Sequence, residues 1–153
     1  MRYVTLLVFS ALICALSLLY VKQSLTKDGE YQASLYFIGN NISHMHIVTH
    51  MKKSDFITHT YLKSASLSEA AVFVSKGYFM DDDADGNYTF RYTMEESNTP
   101  TVLDPSKARF YIGMVGRAGL PLEESIKLIY HNNRISIFDM KRNNNVIMYI
   151  KKH

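Results

Sequence analysis

The feature that most constrains this chain is an uncharged run near its N-terminus. Nineteen consecutive residues, 3–21, carry no charge, whereas Arg2 and Lys22 border them. As a helix this run is about 28 Å long, close to the roughly 30 Å thickness of the hydrocarbon core of a bilayer. The sequence therefore predicts that residues 3–21 span the bilayer once, and that residues 1–21 form a short cytoplasmic tail and a signal-anchor helix.

Two other interpretations of this run stay open. In a cleaved signal peptide a short apolar core precedes a small-residue cleavage site, and Ala15-Leu16-Ser17 is the best candidate. More membrane-like residues follow it, at 18–21, which favours the anchor. A lipoprotein signal at Cys14 is disfavoured because the bulky Ile13 precedes that cysteine. The short N-terminal tail favours a cytoplasmic N-terminus, which places residues 28–153 outside the cytoplasm.

Charge and cysteine content exclude several classes of protein. Beyond residue 27 the chain carries as many basic as acidic residues, so it lacks the basic field of a nucleic-acid binder. Residues 28–104 nevertheless have a net charge of −6 and residues 105–153 a net charge of +6. Two explanations of this division stay open. The two oppositely charged parts attract each other within one domain, or a charged face binds a partner protein. The single cysteine, Cys14, excludes an intramolecular disulfide and a cysteine-based zinc site.

The rest of the chain has the period-two pattern of β-structure. After a polar linker at residues 22–30, aromatic and β-branched residues alternate through a domain at residues 31–153. Strands are predicted at residues 31–38, 42–51, 55–62, 66–76, 88–94, 126–130, 134–140 and 146–151. Asp104-Pro105 predicts the start of one helix over residues 107–115. This pattern indicates a β-rich α+β fold with one helix, either a small antiparallel β-barrel or a sandwich.

Residues 66–69 are ambiguous within this scheme. Ser66-Leu67-Ser68-Glu69 matches a capping box that would open a short helix. The apolar residues 72–74 and 78–80 that follow favour a strand. We therefore predict a strand over residues 66–76, followed by a turn at residues 81–87 and a hairpin partner at 88–94.

Four histidines are candidates for pH sensing. His44, His46 and His50 lie on one face of the predicted strand at 42–51, and His59 lies on the next strand. Histidine titrates near pH 6.5, so imidazoles on one face would repel one another on acidification. An ordinary solvent-exposed face and a metal site are the alternatives.

A second, weaker candidate is an acidic turn. Asp81, Asp83 and Asp85, followed by Gly86, match positions 1, 3, 5 and 6 of a calcium-binding loop. Position 12 is normally glutamate, and here it is Tyr92. The flanking segments also have the pattern of strands rather than helices. A solvated acidic hairpin tip is therefore the simpler interpretation.

The sequence carries no signature of an enzyme. It contains no phosphate-binding loop, no G-x-S-x-G nucleophile motif and no H-E-x-x-H zinc motif. Its one cysteine lies in the apolar run, which excludes a thiol nucleophile in the domain at 31–153. We predict neither catalytic activity nor a cofactor.

The layout resembles a group of small bacterial inner-membrane proteins. The resemblance is carried by the apolar run at 3–21 and by the hairpin GYFMDDDADGNYTFRYTM at 77–94, which is similar to the family's G-x-L-x-D-x-x-G-x-x-Y strand-turn-strand. These proteins are accessory partners of ToxR-like membrane-bound transcription regulators, and they include ToxS, the FidL-like proteins, VtrC and the PsaF/MyfF proteins. No functional residue can be carried over from the group to this chain.

The resemblance implies a function for the predicted domain. It implies a periplasmic, lipocalin-like barrel that forms a heterodimer with the periplasmic domain of a regulator. Such a pair stabilises the regulator and senses a signal, either acid or a small apolar ligand bound in an aromatic-lined cavity. A membrane-anchored immunity or inhibitor protein, and a component of secretion or pilus assembly, are the alternatives.

Overall fold

The structure is a computed structural model that describes residues 28–37, 43–82, 86–141 and 145–152. These residues form eight strands and one short helix. The strands are β1 (Gly29–Phe37), β2 (Ser43–Lys52), β3 (Asp55–Ser64), β4 (Ala71–Asp82), β5 (Asn87–Asn98), β6 (Pro121–His131), β7 (Ile135–Asp139) and β8 (Val146–Lys151). The helix α1 (Arg109–Val115) lies between β5 and β6.

The strands form one closed barrel. Each strand pairs with the next along the chain, and β8 returns to pair with β1. All of these pairs are antiparallel. An up-and-down barrel of eight strands is consistent with a lipocalin-like architecture. Of the two predicted architectures, the barrel is confirmed and the sandwich is wrong.

Alternation along the strands builds the barrel wall. In β2, Met45, Ile47 and Thr49 are buried, whereas His44 and His46 occupy the alternate positions. Side chains two residues apart face the same side of a sheet, so one set lines the interior and the other covers the outer surface. The period-two pattern in the sequence therefore predicted the two faces of this strand correctly.

The barrel closes where β1 meets β8. In the described residues their ladder consists of two pairs, Tyr31 with Lys151 and Gln32 with Ile150. Next to it, the backbone N–H of Lys152 donates to the carbonyl of Glu30 at 2.9 Å, and the Lys152 ammonium lies 3.2 Å from the Glu30 carboxylate. Residues 33–37 and 146–149 continue from this point with no ladder between them. We call these two segments the β1–β8 seam.

The most completely buried large side chains lie beneath α1. Phe73 and Leu62 have almost no exposed surface, and Tyr111 of α1 packs against Phe73 with 6.1 Å between ring centroids. The Tyr111 hydroxyl donates a 2.7 Å hydrogen bond to the carboxylate of Glu96 at the end of β5. The helix therefore covers the end of the barrel where β1, β3 and β5 finish.

The helix begins later than the sequence predicts. The Asp104 carboxylate accepts hydrogen bonds from the Ser106 backbone N–H at 3.1 Å and from the Ser106 hydroxyl at 2.6 Å. These contacts satisfy Asp104 in a local turn, so the helix begins at Arg109 and has no side-chain cap. Its predicted end is confirmed, because Gly116 follows the last residue, Val115.

The predicted strand at 66–76 is displaced along the sequence. Residues 66–70 lie outside β4, and Leu67 forms an isolated antiparallel bridge with Val102 instead. Strand β4 begins at Ala71 and continues to Asp82, so the hairpin turn is shorter than predicted. Two register shifts between β4 and β5, after Val72 and after Phe79, allow these long strands to bend around the barrel.

Gly77 is required by the curvature of β4. A Cβ atom at this position would collide with the backbone oxygen of Arg91 and lie 2.6 Å from the Tyr92 Cβ and 2.7 Å from the Phe56 ring. We expect Gly77→Ala to lower the free energy of unfolding by about 1–3 kcal/mol, as overpacking does elsewhere. Urea denaturation of the full-length protein in detergent, followed by circular dichroism, measures this change.

A second glycine provides the matched control. Gly113 lies in α1, and a Cβ atom there would meet no atom within 4 Å. Gly113→Ala is expected to leave stability unchanged or to raise it by up to about 1 kcal/mol, because alanine favours the helix. Equal urea midpoints for the Gly77 variant and the unmodified protein would contradict the assigned role of Gly77.

Candidate binding cavity

The barrel encloses a cavity of about 540 Å³. Its wall is largely apolar and includes side chains from all eight strands. Nine aromatic residues line it: Tyr31, Phe56, Phe79, Tyr88, Phe90, Tyr92, Phe110, Phe138 and Tyr149. A volume of this size lies within the range of small-molecule binding sites.

The cavity exists because small side chains occupy the middle of the barrel wall. Thr49, Thr58, Thr60 and Ser75 face the interior on β2, β3 and β4. The hydroxyls of Thr49 and Thr58 lie 2.9 Å apart and hydrogen-bond to each other. An eight-stranded barrel is just wide enough to be filled by side chains or to hold one small ligand. Here short side chains at the middle level leave that space open.

Aromatic rings pack at the end of the cavity far from α1. Phe56 lies 5.6 Å from Phe79 and 5.8 Å from Phe90, and Phe79 lies 6.1 Å from Tyr88, measured between ring centroids. Phe56 and Tyr88 are buried. These rings close the end of the barrel at which β1 begins.

The cavity opens beside α1. Arg109, Phe110 and Gly113 line the cavity and are also exposed to solvent. The Phe110 ring is 41% exposed and contacts Phe37 of β1, with 4.8 Å between their centroids. The cavity-lining residues at the opposite end are buried or half-buried. A molecule that enters the cavity therefore passes along this face of α1.

Three polar groups form a network near this opening. The Arg117 guanidinium donates to the Glu124 carboxylate and to the Tyr92 hydroxyl, the latter at 3.3 Å. The Tyr92 hydroxyl donates to the same carboxylate at 3.1 Å. The hydrogen bond to Glu124 raises the pKa of Arg117, so the guanidinium stays charged beside this carboxylate.

Tyr149 brings a different polar group into the cavity wall. Its ring packs against Phe138 with 6.0 Å between centroids, and its hydroxyl has no hydrogen-bond partner in the described part of the chain. Desolvation raises the pKa of Tyr149 to about 12. A neutral phenol that faces an apolar cavity without a partner is available to a hydrogen-bonding group of a ligand.

This environment predicts a late tyrosine titration. We expect Tyr149 and Tyr111 to ionise near pH 12, because burial raises the pKa of both hydroxyls from about 10. Since these folded-state pKa values exceed the unfolded value, their stabilising contribution is complete below pH 10 and is lost as the pH rises towards 12. The ultraviolet absorbance of tyrosinate follows the titration in the full-length protein.

Phenylalanine variants assign this titration. Tyr149→Phe and Tyr111→Phe should each remove one late-titrating group, whereas Tyr36→Phe, which removes an exposed side chain, should leave both late groups in place. Complete titration of all tyrosines by pH 10.5 while the protein is still folded would contradict the buried environment of these two residues.

The four predicted pH-sensing histidines lie on the outer surface of the barrel, away from the cavity. His44 stacks on Tyr36 at 4.5 Å, and the His46 ring nitrogen lies 3.1 Å from the Ser34 hydroxyl. The His50 ring nitrogen lies 3.8 Å from the Glu30 carboxylate. His59 is on β3, where its backbone pairs with Val48 of β2. No three potential metal ligands cluster in the described residues.

Of the three calcium-loop candidates, Asp81 alone is among the described residues. Its backbone belongs to β4 and pairs with Thr89 of β5. Asp83 and Asp85 lie outside the described residues. The proposed calcium site therefore stays a prediction from the sequence.

None of the residues that line the cavity was singled out from the sequence as functional, and Arg109 and Tyr149 are two examples. The available signal was indirect, because small polar residues alternate along two neighbouring strands at positions such as Thr58, Thr60 and Ser75. Such positions indicate an inner face that borders a cavity only once the barrel is known to close. A side chain's distance from a cavity in space is not encoded in its local pattern.

The fold and its interior define the chain as an eight-stranded barrel with an internal, largely apolar cavity. No protein-family model and no curated protein matches the sequence. In the described residues no helix is long and apolar enough to span a bilayer, and the predicted anchor at 3–21 lies outside those residues.

Proposed function

We propose that this chain is a sensing protein whose barrel binds one small apolar molecule and transmits its presence to a protein partner. In this proposal residues 3–21 anchor the chain in a bacterial inner membrane, and the barrel lies in the periplasm. The partner is a membrane-bound transcription regulator of the ToxR-like class, which the barrel stabilises as a heterodimer. The cavity of about 540 Å³ is the observation that carries the proposal.

The cavity favours a ligand over acid as the signal. Its wall is largely apolar, it opens to solvent beside α1, and its volume suits a single small molecule. Three of the four candidate histidines instead contact different neighbours on the outer surface: His44 contacts Tyr36, His46 contacts Ser34 and His50 contacts Glu30. Sensing of acid through His44, His46, His50 and His59 is the alternative that the same experiments test.

The β1–β8 seam supports the proposed partner. Tyr36, Val146 and Met148 are 66%, 56% and 49% exposed beside strand segments that do not pair with each other. Unpaired strand edges accept a strand from another chain, and exposed apolar side chains next to them add buried area. A regulator that docks at the seam would also sense the state of the cavity, because Ile147 of β8 lines it.

Ligand binding is tested on the full-length protein in neutral phosphatidylcholine nanodiscs. Equilibrium dialysis with radiolabelled 1-dodecanol measures binding, and empty nanodiscs provide the background. Saturable binding of one molecule per chain supports the proposal. Binding that never exceeds the background for any of a series of apolar alcohols of different length would contradict it.

The partner is tested by capture of the full-length protein from its own membranes, followed by mass spectrometry. A single-pass protein with a cytoplasmic DNA-binding domain supports the proposal. Met148→Asp should reduce that capture because it places a charge at the seam, whereas Ile57→Asp, at an exposed position on the outer face of β3, should not. Capture of a toxin or of a large secretion assembly would replace the proposal with one of the alternatives.

Acid sensing is tested in the same capture experiment. Replacement of all four candidate histidines by glutamine should leave capture at pH 7.5 and pH 5.5 unchanged if a ligand is the signal. A pH dependence that the replacement abolishes would make acid the signal instead.

A further inference from the structure

The chain enters the barrel at a point surrounded by basic residues. The carboxylate of Asp28, which directly precedes β1, accepts a hydrogen bond from the backbone N–H of Lys53 at 2.7 Å. The carbonyl of Asp28 accepts one from the Lys151 ammonium at 3.0 Å. The backbone N–H of Lys151 donates in turn to the carbonyl of Arg134 at 2.7 Å. The start of β1, the β2–β3 turn, the end of β8 and the β6–β7 turn therefore meet at one side of the closed barrel end.

We call this side of the barrel end the basic rim. Five basic residues form it: Lys52, Lys53, Arg134, Lys151 and Lys152. All except Lys151 are exposed, and the Lys151 ammonium lies 5.7 Å from the centroid of the Tyr31 ring. In the described part of the chain, three acidic residues accompany them: Asp28, Glu30 and Asp55. The rim therefore presents an excess of positive charge to the solvent.

The negative charge of the same barrel end lies on its far side. Strand β4 ends with Asp81 and Asp82, and the strand order places the β4–β5 hairpin four strands away from the junction of β8 with β1 in either direction. The barrel end is thus polarised from the basic rim to this hairpin. A planar anionic surface attracts the first and repels the second, so charge selects which edge of the barrel approaches such a surface.

Exposed apolar side chains lie next to the basic rim. Ile129 and Tyr130 are exposed near the end of β6, and Ile150 is exposed near the end of β8. Proteins bind the surface of a membrane by burying such side chains among the headgroups while their cations attract anionic lipid. The rim therefore combines the two features that this kind of binding needs.

The linker limits how far the basic rim can lie from the bilayer. Only residues 22–27 separate the uncharged run at 3–21 from Asp28. A fully extended chain from residue 21 to residue 28 reaches about 25 Å. Two of the linker residues, Lys22 and Lys27, are themselves basic. Because the linker joins the barrel at the basic rim, the rim is the part of the barrel that the anchor holds nearest to the lipid headgroups.

We propose that the basic rim docks on the anionic phospholipid headgroups of the membrane that holds residues 3–21. This inference rests on the proposed function for that anchor alone, and it does not depend on what the cavity binds. Anionic headgroups attract basic residues close to the bilayer surface. Docking places the closed end of the barrel against the bilayer and directs the opening beside α1 away from it, so a ligand enters from the aqueous phase.

Single tryptophan reporters test this orientation, because the chain contains no tryptophan. Ser54→Trp places the fluorophore in the exposed β2–β3 turn, and Leu103→Trp places it at an exposed position at the end of the barrel covered by α1. The full-length variants are inserted in nanodiscs that contain a phosphatidylcholine with a nitroxide on its headgroup, which quenches tryptophan at close approach. The remaining lipid is phosphatidylcholine alone or a mixture with anionic phosphatidylglycerol.

We expect quenching of the Ser54→Trp reporter to be about twofold or more stronger in anionic than in neutral nanodiscs. Salt at about 1 M should remove this excess, because it shortens the screening length to about 3 Å. Quenching of the Leu103→Trp reporter should not depend on lipid charge. Circular dichroism establishes that each variant is folded. Tyr130→Trp, which exchanges one exposed ring beside the rim for another, provides the same measurement if Ser54→Trp does not fold.

Charge variants separate docking at the basic rim from simple tethering by the anchor. Lys52→Gln combined with Lys53→Gln, in the protein that carries Ser54→Trp, should abolish the excess quenching in anionic nanodiscs. Lys63→Gln combined with Lys141→Gln is the matched control. It removes the same charge from exposed positions at the end of the barrel near α1, and it should leave the excess quenching intact.

The outcomes distinguish this inference from the proposed function. Equal quenching of the Ser54→Trp reporter in neutral and anionic nanodiscs, or an excess that survives without Lys52 and Lys53, would overturn the inference and leave the anchor and the cavity in place. An equal excess at the Leu103→Trp reporter would also overturn it, because the barrel would then present no fixed edge to the lipid. Extraction of the full-length protein from its own membranes by alkaline carbonate would overturn the proposed anchor and the inference with it. Failure of the 1-dodecanol measurement would instead contradict the proposed ligand alone.

Discussion

Replacement of Phe73 by alanine is expected to lower the free energy of unfolding by about 3–5 kcal/mol. The Phe73 ring has no exposed surface, and it packs against Tyr111 in the cluster that joins α1 to the barrel. Removing the ring loses its apolar burial and leaves a void between β4 and α1. These two elements are held together by side-chain packing and not by a hydrogen-bond ladder. The change should therefore loosen the helix as well as the strands.

Urea denaturation of the full-length protein in detergent, followed by far-ultraviolet circular dichroism, measures this loss. Tyr61→Ala is the matched control, since it removes an aromatic ring that is 41% exposed on the outer face of β3. Its effect should stay within about 0.5 kcal/mol, the usual range for surface substitutions. A Phe73 variant as stable as the Tyr61 variant would show that the core does not lie beneath α1.

The second large effect is expected from filling the cavity. Ser75 is buried on β4 with its side chain facing the interior, between the inward-facing residues Phe73 and Gly77. Ser75→Phe places an aromatic ring where the ligand is proposed to lie, so we expect affinity for 1-dodecanol to fall tenfold or more. Equilibrium dialysis in nanodiscs measures this affinity.

The same substitution on the outer surface is the control for Ser75→Phe. Ser125 is exposed on β6, where its hydroxyl contacts Thr89 of the neighbouring strand. Ser125→Phe adds an equal volume outside the barrel and should leave the affinity for 1-dodecanol unchanged. Circular dichroism confirms that each variant is folded before binding is compared. Full binding by a folded Ser75→Phe protein would place the ligand outside the cavity.

The two substitutions act on different parts of the interior. Phe73 belongs to the packed region near α1. Ser75 is the next inward-facing residue of β4 and borders the open space of the cavity. One strand thus passes from a filled core to a cavity within two residues. We therefore expect Phe73→Ala to change mainly the free energy of unfolding and Ser75→Phe to change mainly ligand affinity.

Strand positions were largely predictable because their signal is local. The sequence pattern placed β2, β3 and β8 within one or two residues of their observed bounds, since period-two alternation depends on neighbouring side chains alone. The strand predicted at 126–130 begins five residues earlier, at Pro121. Two other errors occurred where a local pattern had two structural solutions. Asp104-Pro105 forms a turn instead of a helix start because Ser106 occupies the Asp104 carboxylate, and the residues around Leu67 pair with Val102 far along the chain.

The candidate site was not predictable in the same way. On β3 the pattern separated Phe56, Thr58 and Thr60 from Ile57 and Tyr61, yet the set with two threonines lies inside and the set with exposed Ile57 and Tyr61 lies outside. An inner face that borders a cavity does not require the most apolar side chains, so hydrophobicity does not identify it. The sequence indicated histidines and aspartates as functional residues because their chemistry is recognisable in isolation.

The sequence by itself determined the alternation that makes eight strands, the aromatic content of the domain, and the uncharged run at residues 3–21. Only the tertiary structure decided which faces turn inward, and it brought Arg109 and Tyr149, forty positions apart, to one chamber. The physical reason is that strand formation depends on neighbouring residues, whereas a cavity depends on the closure of the whole barrel. No local sequence pattern relates the small side chains around the cavity to the helix beside its entrance. Only the pairing of β8 with β1 closes the barrel and brings them around one space.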